Sequence, residues 1–152
     1  MADRVAQIWR AVLCTIVMFA GLIGPIARAD TLSSPAAARK LTDQAMEKIA
    51  SGDIESGMLL LKPYVLISSA EFDATLEKVK LQLPTIRQRF GLSVGYEFLG
   101  EKTLGSSLIR ITHLQKFERH PVTWVFIFYK GTNAWVLDSF NFQDKIQDAF
   151  QN

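Results

Sequence analysis

The sequence predicts an α+β domain, with helices in the first half of the chain and an antiparallel sheet in the second. Aromatic residues, which favour strands, are concentrated in the second half: three lie between Asp30 and Ser93, and eleven between Val94 and Asn152. The apolar residues also change from a helical spacing to near-alternation close to Gly91. Helices and strands that are segregated along a chain indicate α+β rather than alternating α/β.

The first 29 residues have the features of an export signal. Two arginines precede an apolar stretch of 13 residues, and Ala27 and Ala29 supply the small residues before a cleavage site. This stretch is shorter than the roughly 20 residues that cross a bilayer, which favours cleavage after Ala29 over an uncleaved anchor. We therefore expect a signal peptide at 1–29 and a single α+β domain at 30–152. The protein is expected in a bacterial periplasm or secreted, with membrane contact only if the signal is retained.

Removal of that segment changes both the charge and the thiol content. The full chain has 17 basic and 15 acidic residues, of which three basic and one acidic residue lie in 1–29. The mature chain therefore has 14 basic and 14 acidic residues. No nucleic-acid partner is expected, because such a partner requires a concentrated positive surface. The tightest basic pair, Arg87 and Arg89, is interpreted as the solvated side of a helix. Cys14 lies in the signal, so the mature domain is expected to have no disulfide and no thiolate metal site.

Two helices are predicted before the long third one, and the second of them is short. The first begins at Pro35, because proline suits the first helical position and Ser34 can cap the free amides. It ends at Gly52. Asp53 then caps a second helix over 54–61.

The third helix has the strongest pattern. Ser68 and Glu71 fit a capping box at its start, and Gly91 is a typical C-terminal stop. Pro84 interrupts the pattern and is expected to kink or divide the helix. Six apolar residues at spacings of three and four share one face: Phe72, Leu76, Val79, Leu83, Ile86 and Phe90.

Four strands are predicted after this helix. They cover 94–98, 107–117, 122–129 and 134–142, with turns at 100–105 and 130–133. The third is apolar on both faces, which is typical of a central strand in a sheet covered on both sides. Residues 144–150 are expected to form a closing helix. Together these elements predict three N-terminal helices packed on a curved four-stranded antiparallel meander.

Two motifs are similar to those of a known group of folds. One is Ser51-Gly52-Asp53 after an amphipathic helix. The other is an aromatic hairpin with Trp124-x-Phe126-x-Phe128, Gly131, Trp135-Val136-Leu137 and Phe140-x-Phe142. These motifs and the order of the elements resemble those of the cone-shaped nuclear-transport-factor-2-like, or cystatin-like, α+β folds. The resemblance covers most of residues 35–150. Ketosteroid-isomerase-like and polyketide-cyclase-like members use Asp, His or Tyr groups inside the cone, but no catalytic residue is carried over to this chain.

Neither a catalytic site nor a metal or cofactor site is predicted. His113 is expected on a half-exposed strand face and His120 in a solvated turn, and their spacing does not fit a ligand set. Glu97, Arg110 and Asp138 are charged residues inside predicted strands. We interpret them as residues of an open sheet face that form a cross-strand ion pair. The alternative places Asp138 or Glu97 in a pocket, as a general base with a raised pKa.

The aromatic residues of the sheet are the candidates for a binding site. Most should fill the core, but a curved sheet that closes on helices can leave an apolar cavity for a small ligand. The ligand-binding candidates are Tyr96, Trp124, Phe126, Trp135 and Phe140. A large apolar patch is rarely left in water, so a homodimer through the sheet face is a second hypothesis.

The resulting hypothesis is an exported, non-catalytic binding or interaction protein with an apolar pocket between sheet and helices. A small apolar ligand is the expected partner. The alternative is a small isomerase- or cyclase-like enzyme that uses a carboxylate or a histidine inside the cone. That enzyme requires Asp138, Glu97, His113 or a tyrosine to point into a cavity.

Overall fold

Three helices precede the sheet in the structure, a computed structural model that describes residues 29–150. They are α1 (Pro35–Ala50), α2 (Ile54–Leu61) and α3 (Ser69–Phe90), with a 3₁₀ turn at Lys62–Tyr64. Apart from Ala29, the expected signal peptide and its cysteine lie outside the described residues. Within the described range, no helix is both long enough and apolar enough to span a membrane.

Each helix begins at the side-chain cap that the sequence predicts. Ser34, Asp53 and Ser68 each accept a hydrogen bond from the backbone N–H three residues further along, at 3.1, 3.1 and 3.2 Å. A cap of this kind satisfies an amide that has no partner inside the helix and stabilises it by about 1 kcal/mol. The predicted starts of α1, α2 and α3 are therefore confirmed.

Pro84 does not divide α3, so that part of the prediction is wrong. The helix runs unbroken through this residue, which lies on its exposed side. On either side of it, Val79 and Phe90 are buried against the rest of the protein. Packing at both positions holds the helix together although proline cannot donate the hydrogen bond of a helix interior.

The second half of the chain forms one antiparallel sheet in the order β1-β2-β3-β4. The strands are β1 (Ser93–Leu104), β2 (Leu108–Phe117), β3 (Pro121–Lys130) and β4 (Trp135–Gln143). The predicted α+β arrangement, with N-terminal helices and a four-stranded antiparallel meander, is confirmed. β3 lies between β2 and β4, the interior position that its apolar pattern predicts.

β1 is longer than the sequence predicts, because it continues through the stretch predicted as a turn at 100–105. A register shift between Phe98 and Gly100 leaves Leu99 as an extra residue, and pairing with β2 then runs on to Leu104. A bulge accommodates one additional residue without ending the ladder. The turn itself is confined to the three residues after Leu104.

The two faces of the sheet are covered differently. The inner face packs against the helices, and Ile111, Phe126 and Phe128 at its centre are fully buried. On the outer face, a 3₁₀ turn at Ile146–Phe150 lies against β3 in place of the predicted closing helix. Tyr129 on the same face remains 44% exposed.

α1 and α2 are in close contact at Gly57. A Cβ atom at this position would lie 2.6 Å from Cγ1 of Ile49 and 2.7 Å from the carbonyl oxygen of Ala45. Both neighbours belong to α1, whose inner side is buried, so neither can move aside without disturbing the core.

We expect Gly57→Ala to lower the free energy of unfolding by about 1–2 kcal/mol, measured by urea denaturation. Overpacking costs about 1–3 kcal/mol, and the better helix propensity of alanine offsets up to about 1 kcal/mol. Gly100→Ala is the control, because a Cβ atom there meets no atom within 4 Å. Equal stability of the two variants would contradict the close approach.

Candidate functional site

An apolar cavity of about 250 Å³ lies between α3 and the sheet and opens to solvent. Its apolar wall comes from both layers: Val79, Leu83 and Ile86 on α3, and Val122, Trp124 and Phe142 on the sheet. The three α3 residues share one face because they are spaced four and three apart. Apolar cavities of about 150 Å³ hold a benzene molecule, so this one has room for a larger apolar group.

Aromatic contacts hold α3 on the sheet on both sides of the cavity. At the first end, the rings of Phe72 and Phe140 lie 6.1 Å apart. At the second end, Phe90 packs on Phe117, also with ring centroids 6.1 Å apart. Between these anchors, the apolar face of the helix is only half-buried at Leu83.

A chain of buried polar groups crosses the sheet beneath the cavity. The indole N–H of Trp124 donates to Oε1 of Gln115 at 3.0 Å, and Nε2 of Gln115 donates to Oγ of Ser93 at 3.1 Å. Gln115 is only 6% exposed, and these bonds offset the cost of burying its amide. All three residues line the cavity, so its wall contains a few placed polar groups among apolar ones.

Arg87 lies at the mouth of the cavity, on the exposed side of the C-terminal half of α3. It is the one charged side chain among the described residues that line the cavity, and it forms no ion pair with an acidic side chain within 29–150. Gly52, across the mouth, has a φ of 96° and leaves space beside the guanidinium. A Cβ atom at Gly52 would lie 4.0 Å from Nη2 of Arg87.

The five predicted ligand-binding residues are spread over the inner face of the sheet. Trp124 lines the cavity. Tyr96 is half-buried beside a histidine ring, and Phe126 is fully buried in the centre of the core. Trp135 is buried at the edge formed by β4, and Phe140 packs on the first turn of α3. The structure therefore brings one of the five to the cavity and distributes the others through the core.

The charged strand residues lie away from the cavity. Glu97 and Asp138 are exposed, and Glu97 forms a cross-strand ion pair with Lys116 at 3.5 Å. Arg110 is half-buried on the outer face, where it lines a polar cleft beside the C-terminal turn. None of these residues is among those that line the apolar cavity.

Both histidines are less accessible than the sequence predicts. His113 is fully buried, because it occupies an inward position of β2 beneath α1. His120 is half-buried, since its ring lies 4.7 Å from that of Phe90 and its Nε2 donates to the carbonyl of Asp144. Neither belongs to a metal-binding group: residues 29–150 contain no cluster of three or more His, Cys, Asp and Glu side chains that could hold an ion.

The hydrogen-bond partners of His113 determine which of its two ring nitrogens carries the proton. The hydroxyl of Thr42 donates to the carbonyl of Arg39 at 2.9 Å, so it accepts from Nε2–H of His113, at 3.0 Å. The other ring nitrogen, Nδ1, has no hydrogen-bond partner and lies 3.8 Å from a carboxylate oxygen of Asp43. Burial lowers the pKa of His113 to about 4, an effect that Asp43 partly opposes and Arg39 reinforces.

We expect His113 to make the protein acid-sensitive. Between its ordinary pKa of 6.5 and about 4, the unfolded chain binds a proton that the folded protein does not. The free energy of unfolding therefore falls as the pH falls through this window, by on the order of 3 kcal/mol, and the effect is complete below it. Urea denaturation at a series of pH values measures this slope.

His113→Phe is the matched variant, because it keeps an aromatic ring and removes the titration. The part of the slope between pH 6.5 and 4 that belongs to His113 should disappear in this variant. Identical slopes for the variant and the wild type would contradict the assignment.

Sequence reasoning missed the polar groups of the cavity. Gln115 continues the inward-facing alternation of Ile109 and Ile111 on β2, and a polar residue at such a position was the available signal. Ser93 had no comparable signal, because its role depends on the register between β1 and β2. Arg87 is solvated, as predicted, but its place at a cavity mouth depends on how α3 packs.

The comparisons with known proteins do not assign the chain to a family. The chain matches no protein-family model, and no curated protein is significantly similar to it. The likeness to the nuclear-transport-factor-2-like and cystatin-like folds therefore stays an expectation that rests on the order of elements and on two motifs.

Proposed function

We propose that this protein is an exported, non-catalytic binding module that holds a small apolar ligand in the cavity between α3 and the sheet. The observation that supports this proposal is the cavity itself, about 250 Å³ with a largely apolar wall. Protein interiors are normally packed to crystal-like density. A ligand that enters this open space removes its apolar wall from water and gains contacts with it.

The chemistry of the wall favours binding over catalysis. The described residues that line the cavity include no Asp, Glu or His side chain, which acid–base catalysis at neutral pH would normally use. The isomerase- or cyclase-like alternative would need another centre. Its best candidate, His113, is enclosed by α1 and by aromatic rings and is not among the cavity-lining residues.

The expected affinity is modest. Burial of apolar surface contributes about 25 cal/mol per Å², so a ligand that buries about 200 Å² gains about 5 kcal/mol before the cost of immobilisation. We therefore expect dissociation constants of about a millimolar or weaker for simple apolar probes.

We expect Leu83→Trp to weaken binding of octan-1-ol at least tenfold, because the indole would occupy the cavity. Isothermal titration calorimetry measures the affinity, and thermal unfolding checks that the variant is folded. The matched control is Leu81→Trp, since Leu81 is 78% exposed on the same helix and does not line the cavity. Equal binding by the two variants would place the alcohol elsewhere and contradict the proposed function.

A homodimer through the outer face of the sheet is a separate proposal. One cross-strand row on this face is entirely apolar: Leu104, Leu108, Tyr129 and Val136. Leu104 is 69% exposed and Tyr129 is 44% exposed, so the row presents apolar surface that a second copy would cover.

Light scattering coupled to size-exclusion chromatography tests the dimer. We expect twice the mass of one chain for the wild type and a single-chain mass for Tyr129→Lys, since a buried lysine without a partner is costly. The same substitution at the exposed Leu81 is the control and should leave the dimer intact. A wild-type monomer would exclude this interface.

A further inference from the structure

We infer that the ligand is a medium-chain carboxylate, with its apolar chain in the cavity and its head group bound at the mouth by Arg87. This inference rests on the binding function proposed above and specifies the class of ligand. It follows from a single cationic side chain on the rim of an otherwise uncharged cavity.

Arg87 differs from three other arginines of the domain in that no side-chain or carbonyl oxygen of the described residues binds its guanidinium. Those three are held by protein oxygen atoms: Arg39 by Asp43, Arg89 by Asp144, and Arg119 by the carbonyls of Gln88 and Arg89. Arg87 forms no comparable side-chain bond with the described residues, although it lies only two positions from Arg89. Its planar donor pairs are therefore available to a carboxylate, which guanidinium groups bind in a bidentate manner.

The acidic residues near the mouth are already engaged. Each has a partner of its own: Asp53 accepts from the N–H of Ser56, Glu55 pairs with Lys80 at 3.4 Å, and Glu118 accepts from the N–H of Leu92 at 3.1 Å. None of these three carboxylates forms an ion pair with Arg87. Because Arg87, unlike them, belongs to the cavity lining, an anionic head group at the mouth gains an ion pair that a neutral or cationic one does not.

Ser93 offers a second hydrogen-bond donor in the lining of the same cavity. Its Oγ accepts from Gln115, so its own hydroxyl hydrogen remains available to a ligand oxygen. Ser93 is half-buried and, like Arg87, belongs to the cavity lining. One guanidinium and one hydroxyl suit a carboxylate with a single negative charge, whereas a dianionic phosphate monoester would call for further cationic groups.

The size of the cavity limits the apolar part of the ligand. A volume of about 250 Å³ exceeds what benzene requires, but it is below the range of about 300–1,000 Å³ that is typical for drug-sized ligands. A flexible chain of medium length fits these limits, and octanoate is therefore the probe of choice.

The experiment compares three probes of equal chain length: octanoate, octan-1-ol and protonated octylamine. Isothermal titration calorimetry gives the affinity of each for the wild type and for Arg87→Gln. We expect the wild type to bind octanoate about five- to tenfold more tightly than octan-1-ol, since the mouth is exposed and the ion pair is partly screened. The octylammonium ion should bind more weakly than the alcohol.

Arg87→Gln should remove the preference for octanoate over octan-1-ol. Arg89→Gln is the matched control, because it removes the same charge from the same helix but not from the cavity lining. Arg87→Lys should retain part of the preference, since it keeps the charge and loses the bidentate geometry. Added salt should reduce the preference in the wild type and in Arg89→Gln alike.

Two results would overturn the inference, and they separate it from the proposed function. If the wild type binds octan-1-ol and octanoate equally, or if Arg87→Gln keeps the preference, the head group is not held by Arg87 and the apolar binding function stands. If no probe binds in a way that Leu83→Trp blocks, the binding function fails and the inference fails with it.

Discussion

The anchoring of α3 at its two ends is the constraint on which the functional part of this structure depends. A helix of 22 residues is about 33 Å long, and aromatic side chains hold it to the sheet near Phe72 and near Phe90. Between these contacts Val79 is buried, whereas Leu83 and Ile86 are only partly buried and line the cavity. The cavity therefore follows from the positions of these large aromatic side chains, which fill the space between α3 and the sheet on both sides of it.

Two buried polar clusters reinforce the layers on either side of this cavity. The chain from Trp124 through Gln115 to Ser93 connects three neighbouring strands. The contact between His113 and Thr42 connects β2 to α1. Most polar atoms of each cluster have a hydrogen-bond partner. Removal of one partner would leave a buried polar group unpaired, at a cost of about 1–3 kcal/mol. These bonds favour one arrangement of helices and strands over alternatives of similar hydrophobic burial.

The local elements were predictable because their causes are local. Capping residues such as Ser34 and Ser68 act on amides only three positions away, and the continuous apolar run of β3 is a property of that strand alone. The errors arose where distant residues intervene. β1 extends past its predicted end because pairing with β2 continues beyond a bulge, and His113 is buried because α1 covers its position.

By itself, the sequence determined the α+β class, the order of the elements, the helix starts and the apolar character of the inner face, since each depends on periodicity or on short-range capping. The tertiary structure alone decided that a cavity remains between α3 and the sheet, that Trp124 but not Phe126 meets it, and that Arg87 lies at its mouth. These features depend on the distance between layers and on the register of neighbouring strands. Both quantities depend on contacts between residues that are far apart in the chain. A pattern within one short segment therefore does not predict them.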